Sequence, residues 1–188
     1  MNKENLIKTV RGDITNFLVH WTKDSDIVAF DVLKKIISEE KIKGNIKLVK
    51  GGFKVVCLTE TPIFEMINFF NLDKIQTEIG TKYLPFGIGF YKPNVFRDGG
   101  RPVIYGDDND YKELSEANKW RHVKFSPPDY DFTWEREWRI KSEFIEITKE
   151  NCFIIVPTFK FADEIHKVFD TEWRVVTLST LGLSLPYE

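Results

Sequence analysis

Asp131-Phe132-Thr133-Trp134-Glu135-Arg136-Glu137-Trp138-Arg139-Ile140 alternates aromatic and charged residues over most of its length. In a strand, alternate side chains share a face. Read that way, Phe132, Trp134, Arg136, Trp138 and Ile140 form a core face with one basic interruption, and Thr133, Glu135, Glu137 and Arg139 point the other way. The second set puts two carboxylates about 7 Å apart, from a rise of roughly 3.3 Å per residue, with an arginine beyond. Carboxylates that close repel unless a positive group lies between them, so the face suits a bound cation. The alternative is a solvated strand surface with ion pairs to lysines on a neighbouring strand.

Working outward, the second half of the chain reads mostly as strands: Phe86 to Tyr91, Pro102 to Tyr105, His122 to Phe125, Phe132 to Lys141, Cys152 to Val156 and Trp173 to Leu178. Pro93, Gly99-Gly100, Pro127-Pro128 and Pro157 punctuate them. Phe161 to Phe169 reads as a helix. In the first half, Phe17 to Trp21 is a short apolar strand. Asp24-Ser25-Asp26 then offers N-cap chemistry for a helix from about Ile27 to Glu40. Val28, Val32, Ile36 and Ala29, Leu33, Ile37 recur at helical spacing and make one apolar stripe. Gly51-Gly52 is a turn before a strand at Phe53 to Leu58, and Thr61-Pro62 opens a helix reaching about Leu72. Helices come early and strands later, which predicts an α+β fold with a largely antiparallel sheet, whole or split in two.

At 188 residues, against roughly 150 per domain, the prior is one domain over residues 1–188. The 42% apolar and 30% charged composition is globular, and 16 Phe, 6 Tyr and 5 Trp argue against disorder. No apolar run approaches the roughly 20 residues a bilayer span needs, and the first residues lack a secretory layout, so a cytoplasmic protein is expected. Cys57 and Cys152 lie far apart in apolar segments and read as buried, reduced thiols. The net charge of −2 conceals an excess of lysine between Lys34 and Lys54, where seven lysines face only Glu39 and Glu40. That segment is either a local basic patch for nucleic acid or a solvated helix face leading into a lysine-rich hairpin.

Standard signatures are absent. Gly87-Ile88-Gly89 lacks the third glycine of a dinucleotide fingerprint and reads as a strand relieved by glycine. There is no phosphate-cradling Gly-Lys-Ser/Thr loop. His20, His122 and His166 are isolated from one another and from the cysteines, so no metal is expected. His20-Trp21-Thr22 ends the first strand and Thr59-Glu60-Thr61 the second; each is weak alone, and only their order with the Glu135 to Glu137 stretch is suggestive.

That order resembles the ADP-ribosyltransferase fold: a histidine near the first strand, a Ser/Thr-bearing second strand, and a glutamate on a late strand. More closely, the chain resembles the AbiGi-type abortive phage-resistance proteins, through Leu18-Val19-His20-Trp21-Thr22, Leu33-Lys34-Lys35-Ile36-Ile37, Val56-Cys57-Leu58-Thr59-Glu60-Thr61-Pro62, Phe86 to Phe90, Pro102 to Tyr105 and Trp134 to Arg139. A likeness to DarT-like DNA ADP-ribosyltransferases is more remote. The resemblance implies a mostly antiparallel split sheet with helices concentrated in the N-terminal half, and an NAD-consuming transferase acting as a toxin or effector in phage defence. The rival it leaves open is a catalytically inactive relative that binds a partner, such as the antitoxin of an abortive-infection pair. By position, His20 would hydrogen-bond the ribose next to nicotinamide, Thr22 would help shape that pocket, Thr59 or Thr61 would support the nicotinamide, and Phe86, Phe90 or Tyr91 would stack on it. Glu137 would stabilise the oxocarbenium-like centre, and Glu135 would orient the acceptor, a nucleic acid or a protein arginine. Glu60 stands where the resemblance implies a small polar residue.

Overall fold

The computed structural model describes residues 11–23, 28–47, 49–70, 83–182 and 185. In chain order the elements are β1 (Phe17–Lys23), α1 (Ala29–Glu39), β2 (Lys41–Lys43), β3 (Val55–Thr59), α2 (Ile63–Phe70), β4 (Tyr83–Tyr91), α3 (Lys92–Arg97), β5 (Arg101–Pro102), β6 (Ile104–Gly106), α4 (Asp108–Glu113), β7 (His122–Lys124), β8 (Glu137–Lys141), β9 (Phe144–Glu146), β10 (Cys152–Val156), α5 (Phe159–Val168) and β11 (Val175–Thr177). Seven strands form the main sheet in the order β11-β10-β4-β1-β3-β8-β5. All its pairings are antiparallel except β10 with β11. The pairs β2/β9 and β6/β7 stand apart. The class is therefore α+β with a mostly antiparallel sheet. Among the described residues no helix is long and apolar enough to cross a membrane.

The two faces of the sheet carry different cores. Leu18, Ile88, Phe90, Ile154, Val56, Leu58 and Ile140 face α1 and α5, meeting Phe30, Leu33, Ile37 and Ile165. Val19, Trp21 and Ile155 face the other way onto Met66, Ile67 and Phe70 of α2. Each fully buried aliphatic side chain, such as Leu33 or Ile88, contributes on the order of 1.5–3 kcal/mol relative to exposure. Gly87 and Gly89 lie on the α2 face, where a Cβ at Gly87 would stand 2.7 Å from Trp21 Cε3 and one at Gly89 would run into the Phe153 ring. The two glycines thus make room for aromatic neighbours.

Several expectations are corrected. Among the described residues helices occur in both halves, with α1, α2 and half of α3 before residue 95 and the rest of α3, α4 and α5 from there on. Pro93 in the first turn of α3 and a capping box between Asp107 and Asp110 at α4 start these two short helices. The expected N-cap at Asp24-Ser25-Asp26 lies outside the described residues. At the other end, Glu40 closes α1 in the left-handed region, φ 51°. The largest change is at Phe132 to Lys141, which is not one strand. Thr133–Glu135 is a 3-10 turn, Arg136 has φ 44°, and β8 begins at Glu137. Trp134 therefore stacks on Phe69 of α2, while Trp138 packs on the α1 side. The two tryptophans do not share a face.

The lysine-rich segment closes on itself through one antiparallel bridge, Asn45 with Val55, and is not a bare patch. β2 pairs with the distant β9, and the lysines are largely matched: Lys34 with Asp31 and Glu164, Lys43 with Glu39, Lys50 with Asp108, Lys54 with Glu143.

Candidate active site

β1 and β3 are joined at a single register pair, Val19 with Thr59, whereas β1 continues along β4, and β3 along β8. The sheet thus parts between β1 and β3. His20 spans the parting from the β1 side, its Nδ1 2.9 Å from the carbonyl oxygen of Cys57. A carbonyl only accepts, so Nδ1 carries the proton and the bond replaces a missing ladder contact. Burial lowers the His20 pKa, with Lys23 adding to the effect against the Cys57 bond, and keeps the ring neutral.

On β8, Thr59 faces Glu137 and Cys57 faces Arg139 in register, so these four side chains share the α2 side. Arg139 Nε donates to Glu137 Oε1 at 2.8 Å, and the pair is almost enclosed, the side chains 4% and 11% exposed. Arg139 Nη1 also donates to the carbonyls of Trp120 and His122 at 3.0 and 2.8 Å. The guanidinium is therefore pinned from two sides, and Glu137 with it. The backbone N–H of Glu137 donates to the Tyr105 hydroxyl, 3.3 Å away.

Glu135 reaches the same place from the turn. The Thr59 hydroxyl donates to the Glu135 carbonyl, the Thr61 hydroxyl to the Trp134 carbonyl at 2.6 Å, and Asp131 accepts from the Thr133 hydroxyl and N–H. These side-chain bonds to backbone outcompete strand pairing and fix the turn. The Tyr83 hydroxyl, at the start of β4, stands 3.3 Å from Glu135 Oε1 and donates to it. Burial, and then the nearby Glu137, push the Glu135 carboxyl up to about 7, against the pull of Lys23. The Tyr83 phenol is raised by burial and by both carboxylates. Lys23 Nζ lies 4.0 Å over the Tyr83 ring.

Cys57, expected buried, is exposed; Cys152 is buried, and both are free. Cys57 is exposed as a residue, but the surrounding protein desolvates its thiol. That desolvation, followed by Glu137, raises its pKa and makes it a poor nucleophile.

The structure thus brings Glu135, Glu137, Thr59 and Thr61 together. Both threonines serve as anchors of the turn. His20 follows Val19, which shares a face with Thr59 and Glu137, so its side chain leaves β1 on the α1 side. Thr22 is buried and donates to the Phe86 carbonyl at 3.0 Å. Phe86 and Phe90 are core residues, Phe90 only 6% exposed, and neither is free to stack on a ligand. Tyr91 is 46% exposed but sits at the far end of β4 against Phe17, three strands from Glu137. Glu60 is taken up by Lys92, at 2.6 Å, and by the Trp138 indole N–H, at 2.7 Å. Sequence reasoning passed over Tyr83, whose partner is 52 residues away. It had placed Arg139 on the Glu137 face without seeing that the two pair.

No protein-family model, no curated protein and no solved structure matches this chain.

Proposed function

We propose that the chain is an NAD-dependent ADP-ribosyltransferase, or an NAD-consuming relative, acting as a toxin or effector in phage defence. The observation that carries this reading is a pair of neighbouring carboxylates in different settings: Glu137 locked to Arg139, and Glu135 beside Tyr83 with its pKa pushed up to about 7. Carboxyl groups whose environments differ in this way divide into a fixed charge and a proton carrier. The donor set suits NAD as substrate: Glu137 for the ribose and its developing cation, and the Lys23 ammonium for phosphate. Glu137 stabilises positive charge as nicotinamide leaves, and Glu135 takes the acceptor's proton. Release of nicotinamide from NAD tests the reading. Glu137→Gln should lower it by on the order of 10²–10³, the effect of removing one transition-state contact. A Glu137→Gln protein with undiminished release and toxicity would sink the assignment.

One observation favours the rival, an inactive relative that binds a partner protein. The His20 ring leaves β1 on the opposite side from Glu137 and is occupied by the Cys57 carbonyl. Failure of the wild-type chain to release nicotinamide would select that reading.

A further inference from the structure

We propose that Arg101 and Arg121, at the outer edge of the main sheet, form a binding site for a phosphate group. The site is separate from the Glu135 and Glu137 pair, and the proposal holds whether or not the chain consumes NAD. β5 is the last strand of the sheet. The Val103 N–H donates to the Glu137 carbonyl at 3.0 Å. Residues 101 and 103 therefore turn their backbone polar groups toward β8, and Gly100 and Pro102 turn theirs outward. The Gly100 carbonyl accepts from Arg101 Nη1 at 2.7 Å, and the Pro102 carbonyl from Arg121 Nε at 3.0 Å. Those carbonyls lie about 7 Å apart, two residues along one strand. Two guanidiniums thus stand side by side on one edge.

Both are held in place by neutral acceptors. Arg101 Nη1 also donates to the Phe96 carbonyl at 2.7 Å, and its guanidinium lies 4.0 Å over the Phe96 ring. Arg121 Nη1 donates to Asn118 Oδ1 at 3.1 Å. Among the described residues no carboxylate pairs with either arginine: Asp98 meets Arg97, Glu116 meets Lys119 and Glu137 meets Arg139. Burial, and then Arg101, lower the Arg121 pKa, as two like charges brought together without an anion must. Nothing among the described residues accepts from Arg101 Nε or Nη2, or from Arg121 Nη2. Nε and Nη2 make one side of the guanidinium fork, which grips an oxyanion through two parallel bonds.

Arginine on an edge strand also keeps other chains from pairing there. That role asks only for charge in solvent. It does not call for two guanidiniums pinned to successive outward carbonyls, with a fork left open beside a second cation. A carboxylate has two oxygens in one plane and satisfies one fork. A phosphate points oxygens in several directions and carries the charge that the two arginines lack, so it bridges them. A nucleotide's diphosphate and the backbone of a nucleic acid both supply such a group.

The test uses the full chain and inorganic phosphate as the probe. At matched ionic strength and pH, phosphate should raise the melting temperature above its value in chloride or acetate. Arg101→Gln and Arg121→Gln should each remove most of that rise, measured against the variant's own chloride baseline, while Lys43→Gln keeps it. Arg101→Lys retains the charge without the fork; it should lose the greater part of the rise, and it carries the test if a glutamine variant does not fold. No rise in the wild type, a rise that acetate reproduces, or a rise that survives in the arginine variants overturns the proposal. Two further arms identify the source. If nucleic acid occupies the site, oligothymidylate binding falls with salt at a log-log slope of about −0.7 per neutralised phosphate, and Arg121→Gln makes the slope shallower by about that amount. If the diphosphate of NAD occupies it, both arginine variants reduce the melting shift that NAD produces. A phosphate effect lost in both variants, with neither of these responses, assigns the site to free phosphate.

Discussion

Arg139 Nε lies 2.8 Å from Glu137 Oε1, the two residues standing side by side on one face of β8 and almost closed to solvent. The same guanidinium donates to the carbonyls of Trp120 and His122, so it joins the main sheet to the segment that leads into β7. Removing one partner from such a pair leaves an uncompensated charge and two carbonyls without a donor.

Arg139→Met should therefore destabilise the protein by about 3–5 kcal/mol, the usual effect of breaking a buried pair on one side. Glu137→Gln in the same chain should restore part of that loss, since the stranded charge is gone. Urea midpoints of the two single variants and the double variant measure the coupling, expected at about 0.5–3 kcal/mol. Strict additivity would show that the pair is not coupled.

Glu135 gives a pH dependence whose sign is fixed. Its pKa rises from 4.5 in the unfolded chain to about 7 in the folded one. The folded state thus holds the extra proton, and this contribution is complete below about pH 4.5 and lost as pH climbs through 7. At about 1.36 kcal/mol per pKa unit, the loss is at most about 3 kcal/mol. Glu135→Gln cannot ionise, so its melting temperature should exceed that of wild type at pH 8 and match it more nearly at pH 5. A constant difference between the two proteins across that range would place Glu135 in an ordinary solvated setting. Turnover, which needs the ionised base, should rise with pH through the same interval.

His20 serves as a pin where β1 and β3 part. His20→Ala leaves the Cys57 carbonyl without its donor, at a cost of about 1–3 kcal/mol. His20→Asn, which keeps a short donor, should recover some of it. Denaturation midpoints compare the three proteins, and an alanine variant as stable as wild type would refute the pinning role.

Gly87→Ala should cost about 1–3 kcal/mol by overpacking. The new methyl would meet Trp21 Cε3 at 2.7 Å and the His20 carbonyl oxygen at 3.0 Å, and Trp21 is wedged against Phe70. Gly52→Ala, with nothing within 4 Å but φ of 70°, is the contrasting case, in which any loss comes from the backbone alone. Calorimetric melting of the two variants separates packing from backbone strain.

NAD at 100 times its dissociation constant should stabilise the folded chain by about 2.7 kcal/mol. For a chain of this size that corresponds to roughly 5–11 °C in melting temperature. Glu137→Gln should reduce the shift, whereas Tyr91→Ala, at the far end of β4, should leave it unchanged. An equal reduction by both would place the ligand elsewhere.

The α+β class, the buried Ala29, Leu33 and Ile37 row of α1 and the glycine-relieved run in β4 were legible in the sequence, because each rests on a local period or on the size of a single side chain; Val28, expected in the same stripe, is exposed. Placing Glu137 and Arg139 on one face needed only the two-residue repeat of a strand, and that repeat does hold from Glu137 onward. It fails just before. Thr59, Thr61 and Asp131 take hold of the backbone at 133–135 and bend it into a turn, and two of those three residues lie more than 70 positions away. No local pattern carries that information. The same holds for Phe90, whose core position follows from register with Leu18 and Cys152. Tertiary structure alone also decided the state of Glu135. A carboxyl group's pKa is set by what surrounds it, and its surroundings come from β4, β8 and the end of β1. The chain order supplied two glutamates one residue apart; folding gave one of them an arginine and the other a tyrosine, because burial leaves a charged or polar group only the partners that packing brings within reach.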